Sequence, residues 1–324
     1  MNSHVLPSVT DIEQYRALYK DDAVWHRAME AICAQIGLSA DSLERARHGS
    51  EVVYKVGNRA AIKLYAPLWS EGFEIERSVM EHLYGRIGVA TPELVAAGEL
   101  DGWPYLAMTW LDGVRIGDVW NTLGRSDQIR VAAQLGEMVG HIHSLKTDGL
   151  APELAIDWAA FTAERLASWR VRQEKLGLPE VWLDELEEWL ERETPLYPAT
   201  FDPVLVTADI TDDHVLLAQD SAGRWNVCGF IDFADAMIGY RNYEWPAPCV
   251  FMLRQKPEAL KAFFTAYGIT HIEQTPELSR QILVWTVLHK YGSLTMIEEF
   301  ADARPPEMSA EALAARLWPL GTYR

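Results

Sequence analysis

Cysteine is scarce in this chain, and its distribution limits both the metal chemistry and the compartment. The three cysteines, Cys33, Cys228 and Cys249, are far apart and odd in number, and none belongs to a CxxC pair. This distribution excludes a familiar zinc framework and is typical of a protein in a reducing cytoplasm.

Long apolar runs are lacking as well. No uninterrupted apolar stretch approaches the ~20 residues that a membrane-spanning helix needs. The N-terminus, Met-Asn-Ser-His-Val-Leu-Pro, has neither the basic region nor the apolar region of a signal peptide. We therefore expect a soluble, cytoplasmic protein without a membrane partner.

Basic residues are outnumbered, with 29 Lys and Arg against 47 Asp and Glu and a formal net charge of -18. A nucleic acid partner is not expected, because binding a polyanion requires a basic face. The acidic balance suits a cationic small molecule, although it also serves solubility. The 324 residues, 49% of them hydrophobic, provide ample core for one large domain or two lobes, and we expect a monomer or a weak dimer.

Apolar periodicity predicts short strands early in the chain and helices in most of the remainder. Alternating patterns predict strands at residues 51–57, 59–65, 94–97 and 104–111, and a β-hairpin within residues 204–231. Three-to-four spacing predicts helices at residues 11–38, 71–85, 126–145, 157–174, 181–193, 257–267, 276–300 and 309–316. This order of elements predicts an α+β chain with two lobes.

The polar stretch at residues 207–214 lies inside the predicted hairpin and contains Asp209 and His214, and the hairpin ends at Asp232. An acid, a metal-capable side chain five residues later and a second acid after a hairpin form a layout typical of phosphoryl transfer. One acid orients the attacking hydroxyl, and the other groups hold magnesium on the nucleotide phosphates. The alternative is a surface hairpin whose acidic loop is merely solvated.

Lys63 and Glu76 form the second candidate group. Lys63 lies between two apolar residues of a predicted strand, so its side chain points to the opposite face from theirs, which usually means solvent. Glu76, thirteen residues later on a predicted helix, allows an ion pair that aims the lysine at phosphates. Before this strand, Ser50 ends a small loop at residues 47–50, which is either an anion-binding turn or a plain hairpin turn.

Taken in order, these segments resemble the aminoglycoside phosphotransferase family, the small-molecule branch of the protein-kinase-like fold. The likeness covers about residues 43–300. The motifs that carry it are Ala61-Ile-Lys63-Leu, the helix with Glu76, Tyr105–Gly113, Gly140-His-Ile-His143-Ser-Leu, Thr207-Ala-Asp209-Ile-Thr-Asp-Asp-His214 and Phe230-Ile-Asp232-Phe. The segment from Ile231 to Glu244 is similar to its counterpart in hygromycin B phosphotransferases.

The resemblance implies a bilobal fold and an ATP-dependent phosphotransferase that acts on an alcohol group. The N-terminal lobe would span residues 1–111 and carry the sheet, and the helical C-terminal lobe would span residues 112–324. Lys63, held by Glu76, would grip the α- and β-phosphates of ATP, with GTP as the alternative nucleotide. The other residues implied to bind the nucleotide are the hinge residues Met108, Thr109 and Leu111, and Leu216 and Ile231 beneath the base. Ser50 is a further candidate, from the possible anion-binding turn at residues 47–50.

The resemblance assigns the chemistry to Asp209 and the metal to Asp232 and His214. Asp209 would orient the substrate hydroxyl, and Mg²⁺, or Mn²⁺ as an alternative, would bridge the phosphates. Two positions depart from the family pattern. Thr207 replaces a histidine that packs under the loop, and His214 replaces a metal-binding asparagine. Because magnesium prefers oxygen ligands, His214 binds the metal directly, binds through water or does not bind, and Asp212 or Asp213 is the alternative ligand.

The substrate expected from the resemblance is an aminoglycoside antibiotic, with hygromycin B as the first candidate and antibiotic resistance as the consequence. A polycation needs a groove lined by carboxylates, for which the sequence offers Asp212, Asp235, Glu244 and Glu298, the last followed by Glu299. The alternatives are a kinase of another small alcohol, such as a macrolide, choline or an amino sugar, and a nucleotide-binding pseudokinase.

Overall fold

The computed structural model describes residues 4–46, 49–298, 300 and 308–321. The strands are β1 (Leu43–Arg45), β2 (Val52–Val56), β3 (Ala60–Leu64), β4 (Leu94–Leu100), β5 (Trp103–Thr109), β6 (Val114–Arg115), β7 (Val204–Val206), β8 (Val215–Gln219), β9 (Trp225–Phe230) and β10 (Met237–Gly239). The helices are α1 (Ile12–Tyr19), α2 (Asp22–Ile36), α3 (Ser70–Leu83), α4 (Ile116–Val119), α5 (Arg125–Ser144), α6 (Trp158–Lys175), α7 (Glu180–Glu193), α8 (Pro246–Pro248), α9 (Pro257–Tyr267), α10 (Pro276–Leu288) and α11 (Ala310–Leu317).

The first part of the chain forms an antiparallel sheet of five strands in the order β1-β2-β3-β5-β4. β3 is paired on both sides, and all five of its residues are buried. Helices α1 and α2 share one hydrophobic cluster with this sheet, in which Trp25 packs edge-on against Trp103. The sheet thus holds β3, and with it Lys63, rigidly between two neighbours.

The remainder of the chain is mainly helical, with a second hydrophobic cluster built around α5, α9 and α10. Two small sheets lie within it, one of order β6-β8-β9 and one in which β10 pairs with β7. These sheets hold both ends of the 207–214 loop, because β7 precedes the loop and β8 follows it. The predicted α+β class, with a sheet followed by a helical part, is confirmed. None of the helices described combines the length and the apolar character that crossing a membrane requires.

The predicted helix at residues 11–38 is observed as two helices, α1 and α2. Their separation follows from Asp21, whose side chain accepts hydrogen bonds from the backbone N–H groups of Ala23 and Val24 and thereby caps α2. A local capping signal therefore overrides the continuous apolar spacing on which the single-helix prediction depended.

The predicted helix at residues 276–300 ends at Leu288, and this difference affects the site. His289 has an extended backbone, and the N–H of Lys290 donates to the hydroxyl of Tyr243 at 2.8 Å. The chain leaves the helix here because a tertiary partner takes the N–H that the helix would use. As a result, residues 289–291 lie against the 207–214 loop.

Candidate active site

Lys63 points into the protein. Its side chain is 5% exposed, and Nζ lies 2.7 Å from Oε2 of Glu76 on α3 and 3.0 Å from Oδ1 of Asp232 beyond β9. The alternative that this strand lysine faces solvent is therefore wrong. One ammonium group joins the sheet, the helix above it and the segment that follows the hairpin.

The surroundings of Lys63 favour its charged form. Burial alone would lower the pKa of Lys63, but the carboxylates of Asp232 and Glu76 outweigh burial and raise it. The hydroxyl of Tyr65 donates to the same Oε2 of Glu76 at 2.5 Å, which fixes the carboxylate from a second side. Burial opposes ionisation of Asp232 as well, yet Lys63 and then His214 lower its pKa to about 2.

The 207–214 loop is held in a strained backbone conformation. Ala208 has a φ of 60° and Asp232 a φ of 68°, both in the left-handed region that non-glycine residues seldom adopt. Such conformations cost on the order of 1–3 kcal/mol each and persist only where the surroundings enforce them. Ala208 directly precedes Asp209, and Asp232 is itself a candidate site residue. Both strained positions therefore lie in the candidate site.

Glu244 holds the backbone of Thr207 and Ala208 in this conformation. It is fully buried, and its carboxylate accepts hydrogen bonds from the N–H of Thr207 at 2.7 Å, the hydroxyl of Thr207 at 2.9 Å and the N–H of Ala208 at 2.8 Å. The prediction that Glu244 contacts a substrate is wrong, because its oxygens are occupied beneath the loop. The same contacts show how Thr207 is accommodated, since its hydroxyl adds one more bond to this anchor.

His289 completes the support from the other side. Its Nε2 donates to the carbonyl oxygen of Ala208 at 3.0 Å, and its Nδ1 accepts from the N–H of Tyr291. Burial and the nearby Lys290 lower the pKa of His289 to about 4, so the ring is neutral at neutral pH. Both peptide groups of Ala208 are thus fixed by buried side chains.

Asp209 is presented next to this anchored backbone. Its Oδ2 lies 3.2 Å from Nδ1 of His214. Burial raises the pKa of Asp209 to about 6, an effect that His214 opposes and Asp235 reinforces. The carboxylate is thus a better proton acceptor than an ordinary aspartate, which suits a group that orients a hydroxyl.

The atoms of His214 and Asp232 fit a metal ion. Nδ1 of His214 lies 2.9 Å from the backbone oxygen of Asp209 and donates to it, so the lone pair of the neutral ring is on Nε2. Nε2 faces Oδ2 of Asp232 at 3.7 Å. Burial alone lowers the pKa of His214, but Asp232 and then Asp209 raise it, because both carboxylates attract a proton on the ring.

Of the two alternative oxygen ligands, Asp213 has another partner and Asp212 packs against Gly117. Asp213 pairs with Arg115 at 2.8 Å, and Asp212 is half-buried so tightly against Gly117 that a Cβ added there would meet Oδ2 of Asp212 at 2.8 Å. Within the described ranges, no group of three or more His, Cys, Asp and Glu side chains is arranged to hold an ion. A metal at Asp232 and His214 would therefore draw its other ligands from phosphates and water.

The structure brings some of the residues predicted to bind the nucleotide base close together. Side chains of Leu111 and Leu216 converge on Gly229, where an added Cβ would lie 3.1 and 3.2 Å from their Cδ1 atoms. The N–H of Ile231 donates to the carbonyl of His214, which ties this wall to the 207–214 loop. Met108 and Thr109 close β5, Met108 being buried and Thr109 half-buried.

Two other predicted residues, Ser50 and Glu298, are found at the surface of the described structure. Ser50 is exposed and its carbonyl oxygen accepts from the hydroxyl of Tyr15 at 2.6 Å, whereas residues 47 and 48 of its loop lie outside the described residues. Glu298 is exposed, and Glu299 lies outside the described residues. The structure therefore does not place Ser50 or Glu298 against Lys63, Asp209 or Asp232.

Asp235 has partners that the sequence did not indicate. Lys290 Nζ lies 2.9 Å from Oδ1 of Asp235, and the hydroxyl of Tyr291 donates to the same oxygen at 2.7 Å. Both residues fall inside the predicted helix at residues 276–300. The only local signal for the break was Gly292 within an otherwise helical pattern.

A profile of the phosphotransferase enzyme family (APH) matches residues 42–281. The chain belongs to this family. The predicted enzyme class, a phosphotransferase with an alcohol group as acceptor, is thereby confirmed. The matched range extends from β1 into α10 and so contains Lys63, Glu76, Asp209, His214 and Asp232.

Solved structures of aminoglycoside phosphotransferases share the fold of this family member. The GDP complex of wild-type aminoglycoside 2'-phosphotransferase-IIIa is 18% identical, with a TM-score of 0.70 over 85% of this chain and 97% of that one. The streptomycin–ATP ternary complex of APH(2")-IIa is 14% identical, with a TM-score of 0.60 over 83% of this chain and 94% of that one. At these identities the likeness shows the fold alone, and it confirms the predicted bilobal, protein-kinase-like architecture.

One curated relative has a different acceptor in its name. Over 123 residues the chain is 24% identical to a hydroxylysine kinase of Danio rerio, a stretch that is 35% of each protein. The match spans about a third of the length of this relative.

Proposed function

We propose that this phosphotransferase moves the γ-phosphoryl group of ATP to a hydroxyl group of a small molecule. The observation that carries the proposal is the placement of Lys63, whose ammonium contacts both Glu76 and Asp232, with His214 linking Asp232 to Asp209. This arrangement offers a cation for phosphates at one end and a carboxylate for an attacking hydroxyl at the other.

In this proposal each group has one task. Lys63 binds the α- and β-phosphates and is kept in position by Glu76. Asp209 accepts a hydrogen bond from the substrate hydroxyl and aligns its oxygen with the γ-phosphorus. The alignment supplies most of the effect, because the loose transition state asks mainly for positioning and charge neutralisation.

Asp232 and His214 would hold a divalent ion, Mg²⁺ or Mn²⁺. Bound there, the ion would neutralise negative charge on the β- and γ-phosphates. His214 would offer Nε2 to the ion, since Nδ1 already donates to the backbone of Asp209. ATP is the proposed nucleotide, with Leu111, Leu216 and Ile231 around the base, and GTP is the alternative, as the solved relatives include complexes with ATP and with GDP.

Two acceptor classes are supported by different observations. An aminoglycoside, hygromycin B first, follows from the resemblance of residues 231–244 and from the aminoglycoside in the streptomycin complex of a structural relative. Another small alcohol is favoured by the charges beside Asp209, because Glu244 is buried and Asp235 is paired with Lys290. The partial match to a hydroxylysine kinase supports the second class.

We further propose a cytoplasmic protein that acts without a nucleic acid partner, as a monomer or weak dimer. Three unpaired cysteines fit a reducing compartment. The net charge of -18 disfavours a polyanionic partner.

The test is a γ-phosphate transfer screen with labelled ATP across aminoglycosides, macrolides, amino sugars, choline and hydroxy acids, with Mg²⁺ and Mn²⁺ compared. Asp209→Asn should lower transfer by about 10²–10⁴-fold while the melting temperature shows an intact fold. Nucleotide binding without transfer to any acceptor above the level of Asp209→Asn would identify a pseudokinase instead and overturn the proposal.

A further inference from the structure

Residues 289–291 form a short segment that is fastened to the 207–214 loop. His289 donates to the carbonyl of Ala208, the residue before Asp209, and the N–H of Lys290 donates to Tyr243. The ring of Tyr243 stacks on His289 with centroids 4.9 Å apart. The position of Lys290 relative to the loop is therefore fixed by its own backbone and by its buried neighbour.

The side chains of Lys290 and Tyr291 meet Asp235 at a partly open surface. Nζ of Lys290 lies 2.9 Å from Oδ1 and 3.0 Å from the backbone oxygen of Asp235, and the hydroxyl of Tyr291 donates to the same Oδ1. The side chains of Lys290 and Asp235 are 21% and 25% exposed, and Tyr291 is 62% exposed. All three are accessible to a molecule from solvent.

This trio lies next to Asp209. His289, the neighbour of Lys290, donates to the carbonyl of Ala208 at 3.0 Å, and Ala208 is the neighbour of Asp209. The phosphates are expected at Lys63 and Asp232, which leaves the trio on the part of the site that an acceptor must approach.

The charges found there do not form the acidic groove that a polycation needs. Glu244 is unavailable, and Lys290 compensates Asp235. A polycation would have to displace the ammonium of Lys290 and then sit beside it, which costs like-charge repulsion. A carboxylate would gain a charge-assisted hydrogen bond from Lys290, whose ammonium has a third N–H beyond the two directed at Asp235, while the hydroxyl of Tyr291 stays donated to Asp235.

We propose that Asp235, Lys290 and Tyr291 form an acceptor subsite that selects alcohols bearing a carboxylate over polycationic alcohols. The subsite deepens the proposed function and rests on it, because its ligand is the acceptor of the phosphoryl group. Lys290 is the specificity-determining residue, and Asp235 positions its ammonium.

Matched acceptor pairs test the charge preference directly. Gluconate is compared with sorbitol and homoserine with 3-aminopropan-1-ol, so that each pair differs in a carboxylate, and kanamycin serves as the polycation. We expect wild-type kcat/KM to favour the carboxylate member by about tenfold, the value of one charge-assisted hydrogen bond. Lys290→Met should abolish this preference and Lys290→Arg should retain most of it. Lys175→Met, at the exposed end of α6, is the matched control.

Calorimetric titration of the same compounds, in the presence of a non-hydrolysable ATP analogue, separates the two proposals. Tighter binding of the carboxylate member that disappears in Lys290→Met supports the subsite even where no transfer occurs, and missing transfer then counts against the proposed function alone. The subsite is overturned if kanamycin or the members without a carboxylate bind and react better than the carboxylates. It is equally overturned if Lys290→Met changes the preference no more than Lys175→Met does.

Discussion

Two lysines stand on opposite parts of the site, and their surroundings differ. Lys63 is 5% exposed and touches two carboxylates, one of which is bound again by Tyr65. Lys290 is 21% exposed, and the carboxylate it pairs with is itself open to solvent. A buried pair is fixed by the sheet and helix that carry it, whereas an open pair can exchange partners. We therefore expect Lys63 to keep one position at the phosphate end of the site, and Lys290 to exchange partners at the acceptor end.

Lys63→Met is the strongest way to test this difference. The substitution leaves Glu76 buried without its cation and removes one partner of Asp232, whose side chain is 31% exposed. Breaking a buried pair such as Lys63–Glu76 costs about 3–5 kcal/mol of unfolding free energy. Urea unfolding would measure the loss, and a thermal-shift assay would show weaker ATP binding.

Lys55→Met is a suitable control, because Lys55 lies on the adjacent strand β2 and contacts only the ring of Trp110 among the partners described, at 4.8 Å. A cation–π contact of this kind contributes about 0.5–1 kcal/mol. Equal losses for Lys55→Met and Lys63→Met would mean that the buried pairs add nothing to stability.

The phosphate end was predictable from the sequence because each of its residues lies in a local pattern. Lys63 sits in an apolar strand, Glu76 on an amphipathic helix and Asp209 between two apolar runs. Strand and helix periodicity, together with the family resemblance, were enough to place them near each other. Their roles in catalysis remain predictions, as does the lobe boundary at residues 111 and 112.

The acceptor end was not predictable in the same way. Its lysine and tyrosine are exposed only because α10 stops at Leu288, where Tyr243, 47 positions earlier, takes the N–H of Lys290. The burial of Glu244 depends on donors at Thr207 and Ala208, which lie 37 and 36 positions earlier in the sequence. Such tertiary hydrogen bonds cannot be predicted from local sequence patterns.

His289→Gln tests whether the acceptor-side segment also stabilises the loop, and its effect depends on pH. The pKa of His289 is about 4 in the folded protein against 6.5 for a free histidine, so between these values only the unfolded chain takes up the proton. Stability from this site is therefore full above pH 6.5 and falls as the pH drops toward 4, by at most about 3 kcal/mol.

Urea unfolding at pH 7, 6, 5 and 4 would measure this slope. Glutamine keeps an N–H for the carbonyl of Ala208 but does not titrate, so the variant should lose less stability than the wild type over the same range. Parallel curves for the two proteins would show that His289 is not held neutral by the fold.

Glu244→Gln tests the buried carboxylate that holds the 207–214 loop, which lies between the phosphate end and the acceptor end of the site. Its carboxylate receives three hydrogen bonds from Thr207 and Ala208, and an amide group presents a donor to at least one of these donors. We expect a loss of about 2 kcal/mol, the value of a hydrogen bond to a charged group, and a fall in kcat that exceeds the change in KM for ATP.

The matched control for this anchor is Glu74→Gln on α3, where the carboxylate is 39% exposed and paired with Arg77. Its expected effect on stability is below about 1 kcal/mol, as for other exposed pairs. If Glu244→Gln kept full kcat, the buried carboxylate would be structural support without influence on the position of Asp209.

Lys290→Met should have the smallest effect on stability, although it is the same substitution as the first. The pair with Asp235 is partly exposed and screened by solvent, so its loss should lower the unfolding free energy by less than about 1 kcal/mol. The kinetic effects should also separate, with Lys290→Met acting mainly on KM for the acceptor and Lys63→Met mainly on KM for ATP. A double-mutant cycle with Asp235→Asn would measure the coupling. The contrast between the two ends would be wrong if the coupling free energy between Lys290 and Asp235 were as large as the unfolding free energy lost in Lys63→Met. Lys290 would then be bound to its partner as firmly as Lys63 is.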